Sequence, residues 1–142
     1  SARALEIGEA NVAKNGYSSD VHQSIQADAL DYLKNGVADF DIVVLDPPAF
    51  AKHRNTLPQA LQGYKRINTR AFEQIRKGGI LFTFSCSQVI DNNLFRHMVL
   101  SSAIAAGRNV SILKQMHQPA DHPINIFHPE SEYLKGLILK VE

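Results

Sequence analysis

The sequence predicts an α/β domain with a mostly parallel, doubly wound sheet whose final strand runs antiparallel. Three observations carry this. Two short apolar runs, 40–45 and 80–84, have the length of buried parallel strands. Strand and helix patterns alternate along the chain, as crossover units require. The last two strand candidates, 110–115 and 133–141, are joined by a proline-containing loop without a helix, which predicts an antiparallel edge hairpin.

Each element has its own signal. Residues 2–15 read as a helix with Ala4, Leu5, Ala10, Val12 and Ala13 at apolar positions, stopped by Asn15-Gly16. Residues 21–26 are a short, mostly polar strand candidate. Residues 28–33 give a helical turn or two, closed by Asn35-Gly36. The strand at 40–45 is almost wholly apolar, as expected when both its faces are covered. From Pro47 to Pro58 the chain reads as a loop, because Pro47 and Pro48 remove two donors and restrict φ. Residues 62–76 form a helix with Ile67, Ala71, Phe72 and Ile75 on one side, and Lys77-Gly78-Gly79 is its exit. After the strand at 80–84, a helix over 91–106 carries Leu94, Phe95, Met98, Val99, Ile104 and Ala105 and closes at Gly107. A strand at 110–115, a loop at 119–129 and a last strand at 133–141, interrupted by Gly136, complete the chain.

With 142 residues, 44% of them hydrophobic and 20% charged, the sequence holds one domain with a real core. No apolar run approaches the length that crosses a bilayer, and no signal pattern opens the sequence. A single cysteine makes no internal disulfide, which fits a reducing cytoplasm and no membrane. The formal net charge is only +1, yet 47–72 carries Lys52, Arg54, Lys65, Arg66 and Arg70 and no acid. Such a stretch is either a solvated face or a set of phosphate contacts.

That cysteine, Cys86, follows the apolar run 80–84 in Ser85-Cys86-Ser87, and Asp46-Pro47-Pro48-Ala49-Phe50 follows the other central strand. In open α/β sheets ligands bind outside the carboxyl ends of the strands. Two adjacent parallel strands therefore bring a carboxylate, a proline-fixed loop, an aromatic ring and a thiol to one rim. Read singly, each has a plainer role: Cys86 as a small buried hydrophobe, Asp46 as a turn cap, Phe50 as packing. His122 and His128, with Asp121 and Glu130, match no usual zinc spacing and read as a loop over the pocket, with no metal.

In order along the chain stand Asp46-Pro47-Pro48-Ala49-Phe50, Gly63-Tyr64-Lys65-Arg66-Ile67-Asn68, Gly78-Gly79, Ser85-Cys86-Ser87, Ala120-Asp121-His122-Pro123 and Tyr133-Leu134-Lys135-Gly136. This series closely resembles the bacterial large-subunit rRNA methyltransferase I family, S-adenosylmethionine-dependent enzymes that make 5-methylcytosine in 23S rRNA. The resemblance implies part of a class I methyltransferase (Rossmann-like) sheet with an antiparallel last strand. The chain opens inside the helix that follows the family's second strand, so the first two strands, with the cofactor's glycine-rich loop and ribose-binding acid, are missing. It therefore reads as the C-terminal part of a catalytic domain with an incomplete cofactor pocket. The bared edge at 40–45 should be repaired by 21–26 pairing beside it, or by a homodimer sharing it.

The resemblance also implies roles. Cys86 attacks carbon 6 of cytosine, and Asp46 contacts the N3 and amino edge, with the Pro47 carbonyl beside it. Pro48, Phe50, Tyr64, Lys52, Arg54, Lys65 and Arg66 are substrate-side candidates for single-stranded or opened rRNA. Asp28, Asp46 and Pro47 are cofactor-side candidates, Asp28 toward the adenine amino group or simply as a helix N-cap. Ala49 stands where many related enzymes carry a second cysteine, and where a lysine is common in this family. Two other functions remain open on the residues: an amino-group methyltransferase acting on adenine or guanine, and a self-associating, non-catalytic piece.

Overall fold

The structure is a computed structural model that describes residues 2–34, 36–51 and 53–142; of Arg54 only the backbone is described. The elements in order are α1 (Ala2–Lys14), α2 (Ala29–Leu33), β1 (Ile42–Leu45), α3 (Leu57–Gln74), β2 (Ile80–Ser85), α4 (Asn92–Ala105), β3 (Val110–Met116) and β4 (Lys135–Val141). Short 3-10 turns occupy Arg54–Thr56 and Pro129–Ser131. α3 begins five residues before the expected start, because Pro58 falls in its first turn, where the missing N–H costs nothing.

The sheet has the order β1-β2-β4-β3. β1 and β2 pair in parallel, with Leu45 opposite Thr83. β4 is antiparallel to both β2 and β3, so it alone reverses direction. The expected antiparallel hairpin of β3 and β4 thus forms at the edge of the sheet, with its second strand beside β2 and its first strand outermost. Burial explains the choice. Leu137, Leu139 and Val141 of β4 are at most 2% exposed, whereas β3 is exposed over much of its length and takes the edge.

α3 and α4 supply the core on one face of this sheet. Tyr64, Ile67, Ala71 and Phe72 of α3 and Phe95, Met98, Val99 and Ala103 of α4 join Val43, Leu45, Leu81, Leu137, Leu139 and Val141 in one buried cluster. Asp91 caps α4 by accepting from the Leu94 N–H at 2.8 Å.

Two expectations are corrected. The sheet is covered on one face rather than both: β1 alternates, with Val43 and Leu45 buried but Ile42 57% and Val44 60% exposed. No residue of α1 is buried, so that helix leaves the second face bare. Nor does 21–26 form a strand beside β1; Val21 and Ile25 are exposed, and β1 is an edge. A short polar segment has too little to bury to order itself against an edge alone. No helix among the described residues is long and apolar enough to cross a membrane.

Gly136 is required where β4 crosses Phe84. A Cβ there would lie 2.6 Å from Phe84 Cδ1 and Cε1 and 3.2 Å from Met116 Cβ. Gly136→Val is expected to destabilise the fold by about 1–3 kcal/mol through overpacking, read as a lower urea midpoint at unchanged slope.

Candidate active site

β1 and β2 end side by side, and the chain after each turns over the same rim of the sheet. Asp46 is exposed immediately beyond β1, Pro47 behind it is buried, and Cys86 is half-buried immediately beyond β2. These residues share a cleft of about 590 Å³ with Pro48, Gln118, Pro119, His122, Tyr133 and Leu134. A second cleft of about 680 Å³ lies on the other side of the Asp46-Pro47-Pro48 segment, lined by Asp28, Leu30, Val44, Phe50 and Arg66 among others. Asp46, Pro47 and Pro48 are thus the shared wall between two recesses.

The wall is held from below. Tyr64 of α3 is fully buried, and its ring meets Phe50 at 4.6 Å between centroids, tilted by 53°. Gly63 makes room for that ring, since a Cβ there would sit 3.1 Å from Phe50 Cδ2. The Tyr64 hydroxyl lies 3.2 Å from Ser87 Oγ and 3.5 Å from the Pro48 carbonyl. Ser87 Oγ also accepts from the Ala51 N–H at 3.4 Å, and the Ser87 N–H donates to Ser85 Oγ at 3.3 Å. One buried hydroxyl pair therefore couples the loop after β1 to the loop after β2.

The roof comes from the connection between β3 and β4. Gln118 Oε1 accepts from the Tyr133 and Leu134 N–H groups at 2.7 and 3.3 Å, and its amide nitrogen donates to the His122 carbonyl at 3.1 Å. Both ends of that long loop are thereby closed over the thiol cleft, with Gln88 tying it down through the Glu130 carbonyl at 3.1 Å. His122 and His128 sit beside Asp121 and Glu130 respectively, at 3.3 and 3.4 Å. Among the described residues no cluster suited to a metal ion exists.

The structure brings together Cys86, Asp46, Pro47 and Pro48 at the thiol cleft, and Asp28, Asp46, Pro47, Pro48, Phe50 and Arg66 at the other. Asp28 Oδ1 caps α2, accepting from the Leu30 and Asp31 N–H groups at 2.9 and 3.2 Å, while the residue stays exposed at the cleft. Phe50 is 39% exposed on the Asp28 side. Tyr64 faces the interior. Lys65 lies on the far flank of α3 beside Arg70 and Glu73. Arg54 lies in the 3-10 turn before α3. Lys52 lies outside the described residues. Sequence reasoning assigned no role to Gln118, Ser87 or Lys135, whose contributions depend on contacts between separate segments of the chain.

No family model matches the chain. Curated proteins match it along its whole length. The ribosomal RNA large subunit methyltransferase I of Shewanella denitrificans is 41% identical over 99% of this chain, and that of Aeromonas hydrophila 40% over 99%. Homologues of the whole chain are thus ribosomal RNA large subunit methyltransferases I. The chain spans about a third of their length, 36% in both cases. A solved protein assigned as a methyltransferase and complexed with SAH superposes with a TM-score of 0.81 at 20% identity, over 99% of this chain and 37% of that one. A methyltransferase homolog from Pyrococcus horikoshii gives 0.65 at 16%, over 99% and 50%. The fold is that of part of a class I methyltransferase, as the family resemblance implies, and its strand alternation and antiparallel β4 agree with the α/β reading of the sequence.

Proposed function

We propose that this chain carries the thiol-bearing side of an S-adenosylmethionine-dependent rRNA methyltransferase that forms 5-methylcytosine in large-subunit rRNA. The observation that carries this reading is the shared cleft of Cys86 and Asp46 at the ends of adjacent parallel strands, in a chain whose homologues bear the methyltransferase name.

The Asp28 cleft suits the base end of the cofactor. It offers exposed carboxylates at both ends, Asp28 and Asp46, with Leu30, Val44 and Phe50 as apolar walls. When bound, the cofactor supplies an electrophilic methyl group. The protein's own residues do the rest. The Cys86 thiolate adds to carbon 6 of cytosine, and that C–S bond pushes electron density onto carbon 5. Asp46 supplies a hydrogen bond or proton at the N3 and amino edge as the charge develops. With the cofactor bound, carbon 5 would accept its methyl group, the electron pair of that bond leaving with the cofactor's sulfur. Transfer of the carbon 5 proton to water then restores the 5,6 double bond and expels the thiolate. A target base reaches such a cleft only when unstacked, so the substrate is single-stranded or opened RNA.

The test is to incubate the full natural chain with S-adenosylmethionine and rRNA containing 5-fluorocytidine. Fluorine does not leave as the proton does, so a covalent protein–RNA adduct mapped to Cys86 by peptide mass is the expected result. Methylation of an exocyclic amine with no adduct would replace this reading by the amino-group chemistry.

A further inference from the structure

One buried charged side chain lies against the thiol segment and has no part in the reaction just described. Lys135 opens β4, is 5% exposed, and stands opposite Ser85 of β2 in the antiparallel register. Its ammonium donates to the Ser87 carbonyl and to the Tyr133 carbonyl, both at 2.7 Å. Cys86 thus sits between Ser85, the register partner of Lys135, and Ser87, whose carbonyl Lys135 binds. Ser87 in turn joins Tyr64 and Ala51, so the contact extends to the loop that carries Asp46.

Burial pushes the Lys135 ammonium below the ordinary lysine range. Negative charge at Cys86 acts in the opposite direction, followed by Asp91 and Glu132. Geometry points the same way, since the ammonium is bonded to the carbonyl of the residue that follows Cys86. A buried cation is costly to desolvate, and an unbranched apolar side chain of similar length would avoid that cost. Its placement needs an explanation beyond packing.

We propose that Lys135 is a positioning residue for Cys86: it pins the Ser85-Cys86-Ser87 segment through the Ser87 carbonyl and sets a fixed positive charge beside the thiolate. This rests on the reading of Cys86 as the nucleophile.

The test compares Lys135→Met and Lys135→Arg with the parent in the full natural chain. Cys86 is alkylated with anionic iodoacetate and, separately, neutral iodoacetamide at one pH, and modification is read by peptide mass. A cation beside the sulfur favours the anionic reagent, so the ratio of the two rates should fall about three- to tenfold in Lys135→Met and recover in Lys135→Arg. Capture of 5-fluorocytidine RNA should slow by about tenfold or more in Lys135→Met at unchanged RNA affinity. A folded Lys135→Met protein with the parent's reagent ratio would overturn the proposal. If Lys135→Met does not fold, Lys135→Gln, which keeps a donor without the charge, is read in the same way. Absence of any adduct in the parent would sink the cytosine-5 reading instead, while the reagent ratio still reports on Lys135.

Discussion

Cys86→Ala is expected to lower methyl transfer to RNA by roughly 10³- to 10⁶-fold while leaving RNA and cofactor affinity nearly unchanged. The size follows from the substrate. Carbon 5 of cytosine does not attack a methyl donor until a nucleophile has added at carbon 6. Of the other groups lining the thiol cleft, Asp46, Gln118, His122 and Tyr133 are the polar ones, and none is a thiol. Asp46 stands at the end of the adjacent strand β1, and a carboxylate does not replace a thiolate as the nucleophile. The substitution removes one sulfur from a half-buried position, so stability should move by less than about 1 kcal/mol. Single-turnover transfer of a labelled methyl group, run beside a thermal melt, separates the two effects. Undiminished 5-methylcytidine formation in the folded variant would remove Cys86 from the mechanism.

Tyr64→Ala is expected to destabilise the protein by about 3–5 kcal/mol, a large share of the ~5–15 kcal/mol typical of a domain. The side chain is fully buried, packs on Phe50, and reaches Ser87 and the Pro48 carbonyl with its hydroxyl. Tyr64→Phe keeps the ring and should cost only about 0.5–1.5 kcal/mol for the lost hydrogen bonds. Urea unfolding of the two variants gives the ratio. A tyrosine that stacked on RNA instead would show the reverse pattern, with stability little changed and RNA affinity reduced.

Much of this fold is legible in the sequence because its signals are local. The runs that became β1 and β2 are short and apolar. Asp91 and Asp28 stand where helix caps belong, and Gly107 follows α4. The same locality places Asp46 and Cys86 at strand ends, which is enough to put them in one cleft. The misreadings are all relational. An apolar strand looks the same whether one face or two will be covered, so β1 reads as doubly buried. Residues 21–26 have strand-like composition, but a strand exists only beside a partner. β3 and β4 read as an antiparallel hairpin and form one, but nothing within either run says which of the two lies beside β2. Lys135 belongs with these. Nothing in its own stretch of sequence marks it until the β2–β4 register sets it opposite Ser85. Ser87 likewise looks like a loop serine until Tyr64 and Ala51 arrive from 23 and 36 residues away.

Of the four strands described, β4 is made last, and it lies between two strands made before it. Until residues 135–141 have emerged, β2 and β3 have no common neighbour, Ser87 lacks its lysine, and the thiol segment has no wall on that side. The order of synthesis therefore completes the thiol cleft only after both of the strands that carry Asp46 and Cys86 have been made. A nascent chain that has passed β2 but not residues 118–135 carries Asp46 and Cys86 at adjacent strand ends without the opposite side of their cleft.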